Sequence, residues 1–273
     1  MRRKWIAVLL AAPLMLAAAG EETDALSFRF IPSANLIKNS DFGQLNEEKL
    51  PSDWTFDNCS RSPVFRTIVS GEGADRFLEV TSAWSQFGYW LQKVPVQAGK
   101  TYYASCEYQT DGPCGGLWIQ GETEKGHKFR SVNEISSRFG DLLTEQMRDF
   151  VPERYIYRVG PDRWCRLEKE FTLPADKGDG VCQLRVGVYG GFAGYVRLRN
   201  PVLREAACGL EIRIAGQGWT ELRVQGAKPE VMKLDPASSE QTVSTVLPGV
   251  CRYICAELTG LSGVKVSKEV YYE

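Results

Sequence analysis

Histidine is almost absent: the 273 residues contain one, His127. Ser–His–Asp or Cys–His chemistry would therefore rest on a single imidazole. That residue sits in the charged stretch Glu122 to Lys128, where a loop histidine is ordinarily solvated. Gly-x-Ser-x-Gly, His-Glu-x-x-His and a phosphate-cradling Gly-Lys loop are all missing. No pair of cysteines has zinc-ligand spacing matched by a second pair, so neither metal nor cofactor is expected. Excess charge is also lacking. Lys and Arg number 33 against 34 Asp and Glu, a formal net charge of −1 with a pI near 6.1. That balance leaves no electrostatic footprint for nucleic acid or an anionic membrane.

What is present begins with an address. Arg2, Arg3 and Lys4 precede an apolar run from Trp5 to Ala19, and Ala17-Ala18-Ala19-Gly20 offers the small residues of a cleavage site. The run is shorter than the about 20 apolar residues that span a bilayer. Residues 1–20 therefore read as a cleaved signal peptide, with Arg2-Arg3 only faintly like a twin-arginine signal. No Cys precedes Cys59, so no lipoprotein anchor is expected at the cleavage site. The expected product is secreted, periplasmic or on the cell surface, without membrane insertion. Eight cysteines suit an oxidising compartment, and at least one disulfide is expected, with connectivity left open.

From Asn35 to Ala206 apolar residues alternate with polar ones between Gly, Pro and Asp punctuation, the pattern of half-buried strands. Trp90, Gln92, Val94 and Val96 share one face. Tyr102, Ala104, Cys106 and Tyr108 lie opposite Tyr103, Ser105, Glu107 and Gln109. Cys182, Leu184, Val186 and Val188 face in, with Gln183, Arg185 and Tyr189 out. Strands of this kind stack as two sheets around one core, which gives an all-β sandwich. One stretch breaks the period. Ile135, Phe139, Leu142, Leu143, Met147 and Phe150 recur at helical spacing, predicting a helical insertion over 131–151. Ser131-Val132-Asn133-Glu134 would cap it and Pro152 would stop it. Such a helix would either pack on an open end of the sandwich or cover a ligand groove as a lid. After Ala206 a second, small β unit is expected over 207–273.

Three stretches carry a family resemblance. They are NLIKNSDFG into LPSDWTF (Asn35 to Phe56), LQKVPVQAGKTYYASCEYQTDG (Leu91 to Gly112), and WCRLEKEFTLP with GYVRLRNPVLREA (Trp164 to Ala206). Their order and spacing resemble the galactose-binding-like jelly rolls used as carbohydrate-binding modules in secreted xylanases and cellulases. The resemblance implies a jelly-roll β-sandwich over 34–206, with Phe42, Trp54, Trp164 and Phe171 as framework core. It also implies a test for calcium, because many such modules hold one through acidic residues. Here Gly43 follows Phe42 and Arg199-Asn200 replaces the expected Asp pair, so no metal site is expected. In the C-terminal unit, Cys208, Trp219 and Tyr253-Ile254-Cys255 resemble the Cys, Trp, Tyr-x-Cys series of immunoglobulin domains. That unit is shorter than the about 100 residues the immunoglobulin fold uses.

A protein binds sugars by stacking an aromatic face on the apolar side of the ring and aiming polar groups at its hydroxyls. Trp118 and Gln120 share one face of a strand whose other face carries Leu117 and Ile119. Arg185 and Tyr189 point outward by parity, as do Glu107 and Gln109 on a strand taken to be their neighbour. Trp84, in the Ser82 to Gly88 loop, would stand at the rim or fold back over the core. These seven residues form the expected ligand groove, with a glycan as its partner. The function expected is a secreted, non-catalytic polysaccharide- or oligosaccharide-binding protein. A structural or adhesive surface protein is the second reading. A jelly-roll polysaccharide lyase or glycoside hydrolase is the third, since some carboxylate pair exists in any chain this acidic although none stands out.

Overall fold

Alternating burial along the chain resolves into strands in the computed structural model, which describes residues 25–59, 65–82, 87–111, 114–136, 155–158, 163–189, 193–225, 230–248 and 253–271. The chain divides into two compact units: Phe30–Leu210 with Thr245–Arg252, and Glu211–Ser244 with Tyr253–Tyr271 and the segment ending at Arg29.

Two sheets build the larger unit. One has five strands in the order β10 (Cys165–Thr172), β6 (Thr101–Asp111), β12 (Gly194–Glu205), β4 (Phe77–Ser82) and β3 (Arg66–Ser70). The other has six, in the order β2 (Thr55–Asp57), β5 (Phe87–Val96), β11 (Gly180–Tyr189), β7 (Cys114–Thr123), β8 (Lys128–Ser136) and β9 (Tyr155–Arg158). Every pairing is antiparallel except that of β8 with β9. One hydrophobic cluster joins the two: Ala104, Cys106 and Tyr108 with Leu78 and Leu198 from the first sheet, and Trp90, Val94, Leu117 and Leu184 from the second. This is a β-sandwich.

The motif residues explain how the sandwich closes. Gln92 is buried among apolar neighbours because its amide replaces a missing strand partner: Nε2 donates to the Lys38 carbonyl at 2.6 Å, and Oε1 accepts from the Lys38 N–H at 3.0 Å. Asn39 staples the opening turn. Its amide donates to the Gln44 and Ser52 carbonyls, and its oxygen accepts from the Gln44 N–H. Phe42, at φ 55°, is swung into the core against Trp54, whose indole donates to the Asn39 carbonyl at 3.2 Å. The Tyr108 hydroxyl crosses between the sheets and donates to the Gly116 carbonyl at 2.5 Å. Burial holds that phenol well above the usual tyrosine range.

Three expectations need correction, and the disulfide expectation is narrowed. Ser131–Ser136, where a helix was to begin, is the end of β8, and Ser131–Ile135 pairs with Gly115–Ile119 across the ladder. Strand pairing has overridden the local helical period there, and residues 137–151 lie outside the described residues. Trp164 is half-buried and not part of the core; Arg199 lies over its ring at 4.2 Å. Cys59, Cys106, Cys165, Cys182, Cys208 and Cys255 are in no disulfide, so the expected bridge is not found among these six; the side chains of Cys114 and Cys251 lie outside the described residues. Cys106 and Cys182 fill core positions as small apolar groups, and burial pushes the Cys182 thiol up to about 12. Finally, no disulfide joins Cys208 to Cys255, so the immunoglobulin-type series is not realised as a bridge.

The smaller unit contains a four-stranded sheet, β15 (Glu230–Lys233), β14 (Trp219–Gln225), β17 (Tyr253–Gly260) and β18 (Lys265–Tyr271). Three further strands, β1 (Leu26–Pro32), β13 (Ala207–Ala215) and β16 (Glu240–Pro248), form a sheet of their own. Among the described residues, no helix is long and apolar enough to cross a membrane.

Candidate functional site

Because Leu184, Val186, Leu117 and Ile119 point into the core, their neighbours in sequence must line the outer face of the six-stranded sheet. Register then sets them in rows. Lys93, Gln183, Gln120 and Arg130 lie side by side across β5, β11, β7 and β8. The next row is Leu91, Arg185, Trp118 and Val132.

Three hollows run together over these rows. A pocket of about 180 Å³ is lined by Phe87, Tyr89, Trp118, Gln120, Arg130 and Arg185, with Cys59 and Val188. It shares Arg185 with an open hollow of about 650 Å³ at the β2 side, where Asp53, Phe56 and Asp57 stand. It shares Gln120 and Arg130 with another of about 570 Å³, where Glu122, Lys128 and Phe129 stand. Lys93 and Gln183 line both larger hollows. The result is one groove crossing the sheet.

Arg185 organises its centre. Its Nε and Nη2 donate to Gln183 Oε1 at 3.1 and 2.6 Å, and Nη1 donates to the Tyr89 hydroxyl. With its oxygen turned toward Arg185, the Gln120 carboxamide accepts from Nη2 at 2.5 Å and Nη1 at 3.2 Å. The guanidinium also lies over the Tyr89 ring, 4.5 Å from its centroid. Such a cation–π contact adds about 0.5–2 kcal/mol depending on desolvation. The Tyr89 phenol is held far above the ordinary tyrosine value, chiefly by burial and then by the hydrogen bond from Cys59 at 3.1 Å, with the Arg185 charge acting in the opposite direction. It stays a neutral donor and acceptor at the pocket wall.

Trp118 faces outward, as the parity of β7 required, yet it is only 8 % exposed. Its ring lies over Gly116: a Cβ there would meet Cζ2 of the indole at 2.2 Å. Tyr89 covers it from β5, with ring centroids 5.9 Å apart. The indole is thus the base of the groove, and the half-exposed Tyr89 ring is the aromatic surface open to a ligand.

Of the seven expected site residues, the structure brings Trp118, Gln120 and Arg185 together. Tyr189 is on the same strand as Arg185, at its end, but its side chain lies outside the described residues, as does the whole of Trp84. Glu107 and Gln109 do not join them. Their strand, β6, belongs to the five-stranded sheet, so they point away from the groove on the other outer face. There Gln109 accepts from Arg197 Nη1 at 3.0 Å, and Glu107 pairs with Arg199 at 2.8 Å. The reason is topological: β6 and β7 are consecutive in sequence but lie in different sheets. Tyr89, Lys93, Gln183 and Arg130 belong to the groove and were missed. The signal was available for β5, since Trp90, Val94 and Val96 inside forces Tyr89, Leu91 and Lys93 outside.

At the position the resemblance tests for calcium, Arg199 holds the charge. Its guanidinium reaches Glu107 at 2.8 Å and Asp75 at 3.4 Å beneath Trp164. Among the described residues, no cluster of three His, Cys, Asp or Glu could hold a metal ion.

No protein-family model matches the chain, and no curated protein matches it. Solved structures similar to it are mostly carbohydrate-binding modules with jelly-roll folds. The CBM22-1 xylan-binding domain of Xyn10C from Paenibacillus barcinonensis is 10 % identical with a TM-score of 0.40, covering 64 % of this chain and 96 % of that one. A carbohydrate-binding module of family 4 is 16 % identical with a TM-score of 0.40, covering 62 % and 99 %. The enzymatically active domain of bacteriophage CBA120 tailspike protein 4 is 8 % identical with a TM-score of 0.42; 63 % of this chain matches about a fifth, 21 %, of that one. At such identities and TM-scores, function has to be argued from the site itself.

Proposed function

We propose that this is a secreted, non-catalytic protein that binds a polysaccharide or oligosaccharide along the outer face of its six-stranded sheet. The observation that carries the reading is the groove centred on Tyr89, Arg185 and Gln120, which joins an aromatic face to a fan of amide and guanidinium groups. Sugar recognition needs that pairing of a stacking surface with fixed hydrogen-bond partners. The groove is open along its length, which suits a chain-like ligand better than a small enclosed one. The signal-like residues 1–20 support export.

Covering one face of a tyrosine, roughly 60–80 Å², contributes about 1.5–2 kcal/mol at about 25 cal/mol/Å². One such platform with a few hydrogen bonds, less the ordering of ligand and side chains, gives affinities of about millimolar to micromolar. Sedimentation with insoluble polysaccharides, competed by soluble oligosaccharides, tests the reading. Depletion from solution that an oligosaccharide reverses is expected, with no release of reducing or unsaturated ends. Failure to bind across a broad panel would reject it in favour of a structural or adhesive role. Product release would reject the non-catalytic part.

A further inference from the structure

We infer that the groove selects an acidic saccharide, a uronic acid carboxylate being held between Arg185 and Arg130 at its centre. This rests on the carbohydrate-binding reading above and names the class of ligand that site would take.

The inference comes from how the arginines are partnered. On the five-stranded sheet three arginines reach a carboxylate: Arg197 meets Glu79 at 2.7 Å, Arg199 meets Glu107 at 2.8 Å, and Arg166 meets Glu168 at 4.0 Å, whereas Arg204 lies over the Tyr103 ring and Arg66 makes no ion pair among the described residues. Arg185 differs from those three. Its hydrogen-bond partners are Gln183, Gln120 and Tyr89, all neutral. They orient the guanidinium without cancelling its charge. Arg130, opposite Gln120 on β8, and Lys93, opposite Gln183 on β5, make no ion pair among the described residues. Three cations therefore stand across three strand spacings, about 14 Å, and the small central pocket between Arg185 and Arg130 has no carboxylate in its lining.

Uncompensated like charges repel one another and concentrate counter-ions of opposite sign. A carboxylate offers two oxygens in a plane, which matches the fork of a guanidinium, and charge-assisted hydrogen bonds of this kind are about twice as strong as neutral ones. The ends of the groove differ. Asp53 and Asp57 line one outer hollow and Glu122 the other. A polymer with a carboxylate on every ring would meet repulsion there. The chemistry fits a largely neutral chain with uronic acids at intervals, one of which sits over the centre.

The test uses pairs of polymers that differ only in charge: glucuronoxylan, alginate and polygalacturonate, each beside its carboxyl-reduced form, with a neutral β-glucan. Affinity is measured by titration calorimetry or affinity electrophoresis with the full exported chain. At least one acidic polymer, glucuronoxylan before the fully acidic ones, is expected to bind about tenfold tighter than its reduced form at low salt. That preference should shrink as salt rises. Arg130→Gln, at an exposed position, and Arg185→Gln if folded should each weaken binding of the acidic polymer far more than binding of its carboxyl-reduced form, removing most of the preference. Lys169→Gln, on the other sheet, should have no effect. Equal binding of acidic and reduced polymers, or retention of the preference in Arg130→Gln and Arg185→Gln, overturns the inference while leaving carbohydrate binding standing. Absence of binding to every polymer overturns both.

Discussion

Replacing Gly116 with alanine would test the packing that shapes the groove. A Cβ at this position would stand 2.2, 2.4 and 2.7 Å from Cζ2, Cη2 and Cε2 of Trp118. Carbon atoms in ordinary contact are about 3.5–4.0 Å apart, so the indole must retreat by more than about 1 Å. The backbone cannot yield instead, because the Gly116 carbonyl is tied to the buried Tyr108 hydroxyl at 2.5 Å. Overpacking of this kind costs about 1–3 kcal/mol. Alanine returns roughly 0.5–1 kcal/mol through the lower entropy of the unfolded chain. A net loss of up to about 2.5 kcal/mol is expected, read as a lower urea midpoint with an unchanged m-value. Tryptophan emission should shift as the indole moves, and glycan affinity should fall because the displaced ring enters the central pocket. The same substitution should cost less in a Trp118→Leu background, where there is no indole to displace. A Gly116→Ala protein with wild-type stability and emission, or a cost unaltered by Trp118→Leu, would refute the reasoning.

The free cysteines predict a thiol count. Unfolded in urea without reductant, the protein should yield at least six reactive thiols; in the folded state exposed Cys59 should react, and buried Cys106, Cys182 and Cys208 should not. A lower count in the unfolded protein would show that a described pair is bridged. Burial raises the phenols of Tyr102, Tyr103 and Tyr108 above the usual 10.0. Their native state keeps the proton that the unfolded state loses, so their contribution is complete below about pH 10 and is lost as pH rises past it. An ultraviolet titration should therefore show part of the tyrosine ionising only with alkaline unfolding. A smooth ionisation of all tyrosines near pH 10 with the fold intact would contradict this.

Much of this fold was legible because strand parity has few solutions. The alternation in 182–188 and in 117–120 assigned inside and outside correctly, and with them the outward direction of Arg185, Trp118 and Gln120. Parity does not say which sheet a strand joins. Glu107 and Gln109 were expected beside Trp118 because β6 precedes β7 in sequence, yet the chain crosses between sheets at that turn. Burial was equally hidden. That Trp118 would lie flat over a glycine two residues away depends on Gly116 and Tyr89 together, a cross-strand arrangement that periodicity does not encode. Ile135 carried a helical pattern but sits in β8, where its partner Gly115 lies on a neighbouring strand and not in the local sequence. The packing role of the cysteines was hidden as well. An exported chain permits bridges, but Cys106 and Cys182 are spaced by packing, each serving as an apolar filler in its own sheet.

The central claim is that the outer face of the six-stranded sheet, and not that of the five-stranded sheet, holds the glycan. The direct measurement is affinity for one bound polysaccharide, per folded molecule, in Tyr89→Ala and in Gln109→Ala. Tyr89 lines the central pocket, whereas Gln109 is held by Arg197 on the opposite face. Loss of the tyrosine platform, at about 1.5–2 kcal/mol, predicts roughly 10- to 30-fold weaker binding for Tyr89→Ala. Gln109→Ala should bind as the wild type does. Undiminished binding by Tyr89→Ala together with loss in Gln109→Ala would move the site to the other sheet and contradict the account.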